Sequence, residues 1–139
     1  MDKFDLNSFD TVSACNAGAE IELKDPWTGA STGAFITIMG EDSEVFKNAF
    51  YKIRNRRNME KAPAERQRQA APILTAEQEE EDNIELLAAC TKGRRGIARD
   101  GVEIPFSQEA AAQFYRQFPK FKQQANAAIG ALENFIKAS

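Results

Sequence analysis

Histidine is absent from the 139-residue chain, and cysteine occurs only at Cys15 and Cys90. Without histidine the usual general base and both common catalytic triads are excluded, so an enzyme would have to work with carboxylate, lysine or tyrosine groups alone. Two thiols are too few for a disulfide framework, and no His/Cys spacing reads as a metal site. Paired carboxylates such as Glu79 and Asp82 read as capping and solubility residues rather than as an active site. No apolar run approaches the roughly 18 residues of a membrane span. The opening MDKFDLNSFD carries acids where a secretory leader needs a basic and then an apolar stretch. These absences lead to an expectation of free thiols, no cofactor, no membrane association, a cytoplasmic setting, and binding rather than catalysis.

What is present fits one soluble domain spanning residues 1–139. Apolar residues make up 42% of the chain and charged residues 28%, values of a globular protein, and a chain of this length builds a single core. Phenylalanine is abundant, ten against one Trp and two Tyr. Charge is segregated. Nine acids stand against Lys3 and Lys24 between Met1 and Phe46, whereas eight bases stand against Glu60 and Glu65 between Lys47 and Arg68. An acidic block, Glu77 to Glu85, follows. It can neutralise the basic span within the fold or across subunits.

The organising stretch is Glu20 to Ile53. Ile21 and Leu23 alternate with Glu22 and Lys24 as in a half-buried strand, and Phe35, Ile36, Ile38 and Met39 supply a second. Between them Asp25, Pro26 and Gly29 have the chemistry of a tight turn, and Trp27 within it is expected to pack partly on the hairpin. After Gly40 the period changes. Asp42 or Ser43 caps a helix whose apolar face is Val45, Phe46, Ala49, Phe50 and Ile53, and that face is expected to cover the hairpin. Ala62-Pro63 should end this helix near Glu60. The expected fold is therefore α+β, an N-terminal β-hairpin packed on a predominantly helical domain.

Residues 1–18 read as an arm, and residues 62–74 as a linker or a short helix. Thr75 and Gln78 have capping-box spacing, which predicts a helix from Ala76 to Lys92 stopped by Gly93. Asp100-Gly101 predicts a small hairpin between Ile97 and Ile104. Ser107 and Pro119 open a C-terminal helical pair running to about Ile136.

Two surfaces attract a functional reading. Phe114, Phe118, Phe121, Ala125, Ala128, Leu132 and Phe135 are spaced by threes and fours, with Tyr115 beside them. That stripe is either ordinary core or a partner-binding seam, with Phe114, Tyr115, Phe118 and Phe121 the candidate contacts. The second is the basic helix, where Lys52, Arg54, Arg56 and Arg57 are candidates for self-association with the acidic half of another copy. Nucleic-acid binding through residues 47–68 is the alternative, although neither a base-reading motif nor a phosphate loop accompanies the charge.

Glu22-Leu23-Lys24-Asp25-Pro26 with Thr28-Gly29, then Ile36 to Ile38, Gly40-Glu41-Asp42-Ser43, Phe46-Lys47, Asp100-Gly101-Val102 and Ile104-Pro105-Phe106-Ser107 stand in an order that resembles the tail assembly chaperones of long-tailed bacteriophages. Phe114-Tyr115 and Phe118-Pro119 resemble the family's C-terminal part. Arg94-Arg95 departs from it, since a tryptophan is expected near Gly93. The resemblance implies a homo-oligomer of the host cytoplasm that coats the apolar tape measure protein and is absent from the mature virion. It also implies a frameshift-extended form that recruits tail tube protein.

Overall fold

The computed structural model describes residues 3–67 and 73–136, without the side chains of 64–66. A 3-10 turn, Leu6–Phe9, leads into α1, Thr11–Ala17. The segment expected to be an arm is thus structured, because Asp5 and Asp10 cap successive turns and Cys15 is fully buried. Strands β1, Ala19–Lys24, and β2, Ser31–Ile38, form the predicted hairpin. In its turn the Asp25 carboxylate accepts from the amides of Trp27 and Thr28, and Gly29 takes φ 77°. Trp27 is 91% exposed, contrary to the expected packing: hydrogen bonds to Asp25 and Thr28 hold the turn, and none of them needs the indole ring.

Helix α2, Glu44–Arg66, is capped by Ser43, whose buried hydroxyl accepts from the Phe46 amide. It runs past the expected end at Glu60 with Pro63 inside it. Pro63 is exposed, so the carbonyl four residues back that loses its donor still faces solvent. The expected linker is therefore helical in its first part; residues 68–72 lie outside the described residues. Helix α3, Ala76–Cys90, starts at the predicted capping box, with both Thr75–Gln78 hydrogen bonds formed.

At Cys90 the chain passes straight into β3, Thr91–Arg95, which pairs with β2 to give the antiparallel order β1-β2-β3. Gly93 was expected to stop the helix and instead sits opposite Thr37, with Lys92 as the extra residue of a bulge. Arg95 makes this polar strand viable: it crosses the Phe35 ring at 3.8 Å and binds the Glu20 carboxylate at 2.8 and 2.7 Å. A separate ribbon, β4, Ala98–Arg99, and β5, Val102–Glu103, turns at Asp100 and Gly101, both at positive φ, as the sequence predicts.

Ser107 caps α4, Gln108–Gln117, and Pro119 opens α5, Pro119–Gly130. The last helix stops at Gly130 rather than near Ile136, and a 3-10 turn, Leu132–Phe135, brings Phe135 back into the core. Helix α3 is the central post, packed by α2, α4 and α5. Ala88, Ala111, Ala125 and Ala128 are buried, and such small side chains let helices approach closely. Contrary to expectation, α2 packs chiefly along α3 and not across the hairpin. The sheet is covered instead by α5, α4 and the closing turn, which occupy its apolar face of Leu23, Ile36 and Ile38.

Candidate interaction groove

An apolar opening lies between α2 and α3. It is a groove of about 370 Å³ whose apolar lining comes from Phe50, Ile53, Ile73, Leu74 and Leu86. Its width is set by ion pairs. Arg57 donates from Nε and Nη2 to the two oxygens of Asp82 at 2.9 and 2.8 Å, and from Nη1 to Glu60 at 2.9 Å. Arg56 reaches Asp82 at 3.1 Å and Glu85 at 3.0 Å. The Asp82 carboxyl is held below its usual range, chiefly by the Arg57 hydrogen bonds. One flank carries Arg54, stacked over Phe50 at 5.3 Å, and Lys61; the other carries Gln78 and Glu79. At the groove's edge an apolar side chain stands in solvent: Ile73 is 91% exposed. A concave apolar floor with charged edges is the shape that receives one face of an amphipathic helix.

The aromatic segment read from the sequence divides. Tyr115 is buried, and its hydroxyl lies 2.7 Å from Thr91 Oγ1. The Thr91 proton goes to the Leu87 carbonyl at 2.8 Å, so Tyr115 is the donor. Burial pushes its phenol up to about 12. It is a core residue and not a contact residue. Phe114 and Phe121 stack at 5.6 Å and are half-buried against the core, while Phe118, at 5.6 Å from Phe114, reaches the surface. Much of the stripe is thus core: Ala125, Ala128 and Phe135 are buried and Leu132 is exposed.

The basic residues divide too. Arg56 and Arg57 are spent on α3, within the same chain, whereas Lys52 and Arg54 have no ion pair among the described residues. Sequence reasoning missed Ile73 and Leu74 as site residues, although a signal existed. Leu74 precedes the cap residue Thr75, where an apolar side chain ordinarily staples to one at the fourth helical position, and that position holds Glu79. An apolar pair without its staple partner is left for the groove.

Among the described residues no three His, Cys, Asp or Glu side chains gather to hold a metal, and no helix is long and apolar enough to cross a membrane. Compared with known protein families, with curated proteins and with solved structures, the chain has no match in any of the three.

Proposed function

We propose that this protein works by binding, as a tail assembly chaperone of the long-tailed bacteriophage type, and that the α2–α3 groove receives amphipathic helices of the tape measure protein. The groove itself carries this reading: an open apolar floor with Ile73 in solvent at its edge leaves apolar surface unpartnered. A long helical client with exposed apolar residues aggregates unless such surface covers it. The order of turn and cap motifs resembling that family supplies the identity of the client. With it come the tail tube protein as partner of a frameshift-extended form, residence in the host cytoplasm, and absence from the mature virion.

The contact surface shifts from the one expected. Phe118 remains exposed enough to contribute, but Tyr115 is withdrawn, and Ile73, Phe50 and Leu86 take the leading place. Nucleic-acid binding loses support because Arg56 and Arg57, the centre of the basic run, are already neutralised by Asp82, Glu85 and Glu60.

Titration of helical peptides from the tape measure protein against wild type and Ile73→Asp tests the proposal. Ile73 lies at the surface, so the substitution leaves the fold intact, and a charge on the groove should weaken binding by about tenfold. Equal affinity for both proteins would move the site elsewhere.

A further inference from the structure

The end of the molecule nearest the start of α2 carries the complement of the groove. Phe4 and Phe9 stack face to face with ring centroids 4.7 Å apart, yet they are 72% and 61% exposed, and Leu6 and Val12 are exposed beside them. This knob is built, not trailing. The Asp5 carboxylate accepts from the Asn7 amide, and Asp10 accepts from both the amide and the hydroxyl of Ser13. Thr11 donates to Asp42 at 2.5 Å, Asn16 accepts from the Glu44 amide, and Cys15 is buried. A rigid exposed aromatic pair loses little entropy when covered.

Its surroundings are acidic. Asp5, Asp10, Glu41, Asp42 and Glu44 have no ion pair among the described residues. Arg54 and Lys61, on the groove's α2 flank, have none either. Opposite charges are thus left unsatisfied on two apolar surfaces. The knob is not seated in its own groove: its anchors hold it at the start of α2, and the groove runs from Phe50 to Lys61, about 10–25 Å further along that helix.

We propose that the Phe4–Phe9 knob of one copy docks in the α2–α3 groove of a second copy, with Asp5 and Asp10 facing Arg54 and Lys61. The two surfaces differ and lie apart on the chain, so the contact is heterologous and repeats from copy to copy, closing as a ring or continuing as a filament. It shares the groove with the function proposed above but does not depend on that client; knob and client then compete for one surface, and client binding displaces the neighbouring copy.

Sedimentation velocity on Phe4→Asp/Phe9→Asp, which removes the knob and keeps the groove, and on Ile73→Asp, which does the reverse, tests this contact. All three side chains are exposed, so both variants should fold, with unchanged circular dichroism. Wild type should form concentration-dependent assemblies that dissociate in high salt. Each variant alone should be monomeric, and an equimolar mixture should give a discrete dimer, since one intact knob meets one intact groove. Asp5→Lys should weaken assembly and Arg54→Glu should restore it when the two variants are mixed. A monomeric wild type at every concentration, self-association of either variant alone, or a mixture that stays monomeric would overturn the inference. Peptide binding by the knob variant separates the two proposals, because that protein retains the groove whether or not copies associate.

Discussion

Arg57 and Asp82 join α2 to α3 through two hydrogen bonds of 2.9 and 2.8 Å, and with Glu60 and Arg56 they hold apart the helices whose gap is the groove. A basic helix followed by an acidic one is, in this fold, an internal clamp.

The clamp should be visible in acid. A carboxyl whose folded value is lowered contributes stability above its unfolded value, about 3.9 for Asp, and loses it as pH falls through the folded value. Asp82→Asn should therefore lower stability at neutral pH and flatten the acid limb of a urea-denaturation series, and it should weaken peptide binding by loosening the groove. Unchanged stability across the whole range would mean that the pair is solvated and idle.

Tyr115 makes the opposite prediction in alkali. Its phenol is raised to about 12 by burial, so between the unfolded value of about 10 and 12 the folded state binds more proton than the unfolded one. Stability should fall as pH rises through that window. Tyr115→Phe should remove that part of the alkaline loss and cost about 1 kcal/mol at neutral pH for the bond to Thr91. A phenol that titrated near 10 in the folded protein, followed by its ultraviolet difference spectrum, would contradict the burial.

Cys15 and Cys90 should be silent toward thiol reagents. Both are buried, and desolvation raises both thiols, Cys90 to about 11. Two thiols per chain should react on unfolding in denaturant and none before it; fast modification of the native protein would mean that α1 or α3 opens readily.

Gly40 should not tolerate a methyl group. A Cβ there would run into the Cys15 side chain and the Phe135 ring, so Gly40→Ala should destabilise the protein by about 1–3 kcal/mol in equilibrium denaturation. No measurable loss would show that α1 and the closing turn are loosely seated.

Local signals were legible where one residue decides local geometry. Asp25 and Gly29, the Thr75–Gln78 box, Asp100-Gly101, Ser107 and Pro119 each act within a few residues, and each stands where the sequence places it. What escaped were tertiary choices. The strand Thr91–Arg95 has no apolar residue to announce it and depends on Glu20, 75 positions away, to hold Arg95. The face of α2 was readable, but not whether hairpin or α3 would cover it. Tyr115 and Phe118 share one aromatic stripe, and only packing separates a core phenol bonded to Thr91 from a ring at the surface. The groove escaped because it joins Phe50 and Ile53 of α2 to Leu86 of α3 and to Ile73, in the segment before α3.

Co-expression with the proposed client, a bacteriophage tape measure protein, is read as the amount of soluble client that co-purifies. Wild type should keep the client soluble and bound, and Ile73→Asp, folded and equally abundant, should leave most of it in the pellet. A client that stays insoluble with wild type, or that is carried equally well by Ile73→Asp, would contradict the proposal.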